Sequence, residues 1–125
     1  MKIALGIDTG AQTVEVPDRC VQQVLEPNPV PRGLTGEAEV RRALAEPIGT
    51  PRLREVVRPG EKIAIITSDI TRPMPTWAVM PPLLEELYAA GVRRSDITLV
   101  FALGSHRPHT AEEMQKLAGE RAFRE

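Results

Sequence analysis

Cysteine is almost missing from this chain of 125 residues: Cys20 stands alone. A single thiol excludes an internal disulfide and offers no zinc-ligand spacing, which fits a reduced, cytoplasmic protein with Cys20 packed inside. Aromatic residues are equally scarce, with only Phe101, Phe123, Trp77 and Tyr88 present. The core must therefore be aliphatic, and a base-stacking surface for single-stranded nucleic acid is excluded. Charge of one sign is also lacking, because 16 basic residues offset 17 acidic ones for a net charge of −1. Such a balance leaves no electrostatic footprint for nucleic acid or for an acidic membrane. No apolar run approaches the roughly 20 residues that span a bilayer. The start, Met1 to Asp8, carries a charge too early for a signal peptide and has no small-residue cleavage site.

What is present reads as an α/β domain. Lys2–Ile7 and Thr13–Pro17 flank Asp8-Thr9-Gly10-Ala11-Gln12 and predict an amino-terminal β-hairpin. Val21–Leu25 suggests a short further strand, and three prolines at 27, 29 and 31 then enforce an extended connector. Thr35 is placed to cap a helix over Gly36–Glu46, and Thr50-Pro51 repeats a helix-start signature before Leu53, Val56 and Val57. Both segments read as scaffold.

The second half carries the stronger signals. Lys62–Thr67 is β-branched and apolar on both faces, as expected of a parallel strand covered on both sides. Helix is predicted from Thr76, restarting at Pro81-Pro82 and closing at Gly91. Asp96–Leu103 is a second buried strand. Thr110 with Glu113 forms a capping-box pattern for a last helix that closes at Gly119. Strand, helix, strand, helix makes the two strands parallel neighbours or near-neighbours in a mixed, largely parallel sheet flanked by helices. The charged stretch after Gly119 has no final strand, so residues 1–125 are expected to be a truncated amino-terminal piece.

Parallel strands send their carboxyl ends to one edge of the sheet, where ligands of open α/β folds bind. Here both ends lead into polar loops, Ser68-Asp69-Ile70-Thr71-Arg72-Pro73 and Gly104-Ser105-His106-Arg107-Pro108-His109-Thr110. Arg72 offers a planar fork matched to a carboxylate or phosphate, stiffened by Pro73. His106 can accept or donate a proton. Asp69 has three uses open to it: holding an arginine, fixing a histidine tautomer, or capping the turn that follows. His106 and His109 are spaced as a metal pair but lack a third ligand, so no metal site is assigned. His109 itself reads as a loop or helix-entry residue, and Trp77 as core or a domain contact.

The two loops together, with Val24–Pro27, Pro47–Leu53 and Pro81–Leu87, resemble the amino-terminal domain of the nickel-pincer-dependent lactate racemase family over almost the whole chain. The resemblance implies a two-domain enzyme with its site in the interdomain cleft and a nickel pincer nucleotide as cofactor. A 2-hydroxyacid would lose its C2 hydrogen as hydride and regain it on either face, with two histidines serving the hydroxyl proton. Residue by residue, it makes His106 one of those histidines, Arg72 the carboxylate-binding arginine and Asp69 its acidic neighbour, with Thr71 and Arg107 in support. The family's other histidines and the cofactor-tethering lysine would lie beyond Glu125. The piece alone is therefore expected neither to hold the cofactor stably nor to racemise, and its partners to be a small 2-hydroxyacid and its own missing remainder, with no nucleic acid or membrane. Two rival readings stand beside this one. A non-catalytic carboxylate- or nucleotide-binding module would also lack the later lysine and histidines, and a metal hydrolase built on His106 and His109 would bind zinc tightly.

Overall fold

The computed structural model describes residues 1–125, which divide into two compact units, Met1–Pro31 and Arg32–Glu125. The first is an antiparallel hairpin of β1 (Lys2–Ile7) and β2 (Gly10–Glu15), in register from Lys2↔Glu15 to Ile7↔Gly10. Its turn is two residues long. Asp8 enters the left-handed region (φ 51°), which aspartate tolerates better than most residues. This lets β2 begin at Gly10, three residues before the expected strand. After a 3₁₀ turn at Asp18–Cys20, residues 21–31 form no regular structure. The expected strand over Val21–Leu25 is thus absent, since the segment pairs with neither hairpin strand. Cys20 is exposed rather than packed, because no residue of this unit is buried and there is no core to receive it.

The second unit holds α1 (Gly36–Ala45), α2 (Leu53–Val56), β3 (Ile63–Ser68), α3 (Thr76–Ala89), β4 (Ile97–Ala102), α4 (Ala111–Ala118) and α5 (Glu120–Arg124). Thr35 occupies the N-cap position of α1 without a side-chain bond to the helix. β3 and β4 pair in parallel from Ile63↔Ile97 to Ser68↔Ala102, with α3 as the crossover. α3 is one continuous helix. Pro81 and Pro82 lie inside it rather than restarting it, and Pro82 is buried. Its end is closed at Gly91 (φ 83°), where the Gly91 amide bonds to Tyr88 O (2.9 Å) and the Val92 amide to Leu87 O (3.1 Å). A side chain at Gly91 would also meet Pro59 Cγ at 3.0 Å. The charged stretch after Gly119, for which no element was expected, forms the short helix α5, tied back when Tyr88 donates to Glu125 (2.6 Å).

The core is aliphatic: Ala78, Met80, Leu84, Leu87, Val92, Leu117 and Ala118 are buried. All the other helices pack against α3. Residues Ile63, Ile65, Thr67, Ile97, Leu99 and Phe101 alternate along the covered face of the sheet. The opposite face is open, with Ile66 71% and Val100 41% exposed. Both strands were expected to be covered on both sides. The unit supplies one helical layer gathered about α3, so only one face is shielded.

Ion pairs fix the helices to α3. Glu85 accepts from Arg41 of α1 (2.6 Å) and Arg121 of α5 (2.9 Å), which lower its carboxyl to about 2. Glu86 is buried and receives Arg54, at hydrogen-bond contact, and Arg52 (2.7 Å). Arg54 and then Arg52 depress the Glu86 carboxyl to about 2 against the burial that would raise it. The depressed value means that the clamp contributes stability above the ordinary carboxylate range and loses it as pH falls toward 2. Glu86→Ala should cost roughly 3 kcal/mol, the lower end for a broken buried pair because both arginines keep access to water. Urea unfolding at neutral pH checks this, and the difference between wild type and variant should shrink on acidification.

Candidate functional site

The loop leaving β3 is built around Asp69, which is 4% exposed. Its Oδ1 accepts the Thr71 amide (3.1 Å) and the Thr71 hydroxyl (2.8 Å), the short-range pattern that aspartate adopts in turns. The Arg72 amide donates to the Asp69 carbonyl (3.3 Å), and the Met74 amide donates to Ser68 Oγ (3.2 Å). Behind the loop, the buried hydroxyls of Thr67 and Thr76 join the end of β3 to the start of α3 (2.6 Å). The loop is held at both ends.

The loop leaving β4 turns at Gly104 (φ 58°), and the His106 amide donates back to Leu103 O (3.0 Å). Positive φ is the reason glycine suits this position. Thr110 and Glu113 close a reciprocal capping box, with Glu113 N–H to Thr110 Oγ1 at 3.2 Å and Thr110 N–H to Glu113 Oε2 at 2.9 Å. Arg107 turns to this box: its guanidinium donates to Glu113 (2.7 and 2.9 Å) and to Pro108 O (3.0 Å). Arg107 and then the Thr110 amide lower the Glu113 carboxyl to about 2.

The register of β3 and β4 brings the two loops together. Asp69 Oδ2 hydrogen-bonds His106 Nδ1, and Thr71 Oγ1 lies 3.3 Å from the same nitrogen. His106, followed by Thr71, holds the Asp69 carboxyl down to about 2. An ionised carboxylate only accepts, so Nδ1 carries the proton and Nε2 of the neutral ring is left with its lone pair. The His106 side chain is 49% exposed. Arg72 is exposed on the same loop, and its guanidinium has no hydrogen-bond or ion-pair partner. His109 crosses the other way. Its Nε2 accepts the Ile70 amide (3.2 Å), the Phe101 ring meets it edge-on at 5.5 Å and 77°, and its Nδ1 is buried without a partner. A buried donor left unpaired costs about 1–3 kcal/mol.

Of the residues singled out in the sequence, Asp69, Thr71 and His106 form one hydrogen-bonded cluster. Asp69 both caps its turn and orients the imidazole, so two of its three open uses hold at once. Arg72 follows Thr71 on the same loop with no side-chain hydrogen bond to the cluster, and Arg107 is committed to Glu113. His106 and His109 take different partners, and no group of three or more potential metal ligands is assembled. Trp77 is 60% exposed and, with Ile70, Pro73, Met74, Pro75, Lys116 and Leu117, lines a cavity of about 450 Å³. The sequence reading missed the link from His109 to Ile70. Only the three-residue spacing from His106 hinted at it, and no sequence pattern names a backbone amide as partner.

Residues 7–125 match the family described as the lactate racemase N-terminal domain. The lactate racemase of Thermoanaerobacterium thermosaccharolyticum is 35% identical over 108 residues, 85% of this chain and 25% of the relative. That of Lactiplantibacillus plantarum is 38% identical over 87 residues, 70% of this chain and 20% of the relative. The solved lactate racemase apoprotein from T. thermosaccharolyticum aligns with a TM-score of 0.72 at 33% identity, covering 95% of this chain and 27% of that one. The chain spans about a quarter of the length of these relatives or less.

The depressed Asp69 carboxyl gives a pH test. The Thr71 amide proton shift should follow Asp69 with a midpoint of about 2, not near the ordinary value of about 4. Asp69→Asn should remove that titration. A midpoint near 4 in the wild type would mean that the Asp69–His106 pair does not form in solution.

Proposed function

The chain belongs to the lactate racemase N-terminal domain family, and on that premise we propose that it forms the substrate-binding and one acid/base half of a 2-hydroxyacid racemase. The observation carrying this reading is the Asp69-oriented imidazole of His106, with Arg72, whose guanidinium is unpaired, three residues after Asp69 on the adjoining loop. A 2-hydroxyacid such as lactate presents a carboxylate next to a carbon bearing a hydroxyl. Arg72 can take the carboxylate through two parallel N–H bonds. His106 Nε2 can then accept the hydroxyl proton when the C2 hydrogen leaves as hydride to an acceptor held outside residues 1–125, and return it when the hydride comes back. Asp69 stabilises the imidazolium formed in between and keeps the ring in its Nδ1–H tautomer. Thr71 steadies Asp69 through its two bonds to Oδ1.

This half is read as the amino-terminal part of a larger enzyme. The open sheet face carrying Ile66 and Val100 supports that reading, since parallel sheets are normally covered on both sides. The nickel pincer nucleotide implied by the family resemblance does not find its donors here. No cluster of three ligands is assembled, His106 Nδ1 is taken by Asp69, and His109 Nε2 by the Ile70 amide. That group is assigned to residues outside 1–125.

The test is racemisation of L-lactate by the full-length protein, followed by stereospecific detection of D-lactate. His106→Ala should lower kcat by roughly a hundredfold or more, as loss of a general acid/base does. Arg72→Ala should raise KM by roughly ten- to a hundredfold through loss of charge-assisted bonds. Unchanged turnover in His106→Ala would refute its role. Racemisation by residues 1–125 alone would refute the assignment of the cofactor to the remainder.

A further inference from the structure

We infer that His109 is a positioning residue: a neutral imidazole that clips the Asp69 loop to the His106 loop and so sets the geometry of the Asp69–His106 pair. The inference rests on the racemase reading for its kinetic consequence but not for its structural one. His109 sits three residues after His106 on the loop leaving β4, and Ile70 directly follows Asp69 on the loop leaving β3. The Ile70 amide donates to His109 Nε2 at 3.2 Å, so a single ring joins the residue next to Asp69 to the segment that carries His106.

The donor here is a backbone N–H, which leaves no choice of direction. Nε2 must present a lone pair, and the ring's one proton therefore resides on Nδ1. That nitrogen is buried and bonds to nothing, while Phe101 packs edge-on against the ring and prevents it from swinging out. An apolar side chain would fill the same space without stranding a donor. What it could not do is accept from Ile70, and that bond is one of only three polar links between the two loops. The others are those of His106 to Asp69 and Thr71. His106 and His109 thus hold opposite tautomeric duties. His106 keeps Nε2 without a partner on a half-exposed side chain, and His109 gives its own Nε2 to the backbone. The Ile70 bond fixes where Asp69 stands, and His106 moves its proton only if Asp69 meets Nδ1 squarely.

Three variants of the full-length protein test this. In His109→Gln the Oε1 atom can accept from Ile70 near the place of Nε2. His109→Asn places its oxygen near Nδ1, out of reach of that amide, and His109→Leu accepts nothing. Racemisation of lactate should fall roughly tenfold or more in kcat for the Asn and Leu variants, as small misplacements of reacting groups do, with KM changed less than about threefold. His109→Gln should recover to within about threefold of wild type. Comparable losses in all three, or Asn and Leu variants at wild-type kcat, would overturn the inference. If the Leu variant fails to fold, the contrast between Gln and Asn decides. Imidazole ¹⁵N spectra give a readout independent of activity: Nε2 of His109 should be pyridine-like and coupled across the hydrogen bond to the Ile70 amide, and Nδ1 pyrrole-like. A protonated Nε2 would overturn the proposal. A wild-type protein that fails to racemise 2-hydroxyacids, yet shows this ¹⁵N pattern, would sink the racemase reading alone.

Discussion

The parallel pairing of β3 with β4 governs the arrangement of the site. Ser68 lies opposite Ala102, so both strands end at the same level and release their loops side by side. A shift of one residue would turn Asp69 to the other face of the strand continuation and separate it from His106. Crossover α3 keeps this pairing parallel. It is anchored at its start by the Thr67–Thr76 hydroxyl contact and at its end by the turn at Gly91. The polar loops can afford few apolar contacts of their own because the strands beneath them fix their origins.

Charge is used in two different ways across the unit. Around α3, carboxylates meet guanidinium groups from flanking elements: Glu85 with Arg41 and Arg121, and Glu86 with Arg52 and Arg54. Asp96 does the same at the start of β4, held below its ordinary range by Lys62 and Arg93. These pairs join helices and strand ends. At the loop rim the pattern changes. Asp69 faces an imidazole and a hydroxyl instead of an arginine, and Arg72 on the same loop is left free. Of the three buried carboxylates, Glu86 and Asp96 have cationic clamps, whereas Asp69 does not take the arginine nearest to it in the chain, and under the proposed function that leaves Arg72 for the substrate carboxylate.

Much of the fold could be read from residue patterns. The β-rich Lys2–Ile7 segment, the β-branched run at Ile63–Ser68 and the Thr110–Glu113 box each rest on forces acting within a few residues. The failures were long-range. Val21–Leu25 has strand-like residues but no sheet edge to join, Cys20 has no core to enter, and Pro81-Pro82 is absorbed into α3 by burial of its apolar face. Ile66 and Val100 look like core residues and lie open, because coverage of a sheet depends on which layers are present.

For the site, the sequence alone determined that an acid, an arginine and two histidines leave two adjacent parallel strands at one end, since strand direction and loop position follow from local pattern and chain connectivity. It also carried the kinship with lactate racemases through the loop motifs. Which of these side chains meet was decided only by tertiary structure. Register and turn geometry assigned Asp69 to His106, sent Arg107 to Glu113, left Arg72 unpaired and gave His109 to a backbone amide. Hydrogen bonds demand atoms within about 3 Å at defined angles, and residues 37 or 39 apart in the chain meet that demand only after the sheet has formed.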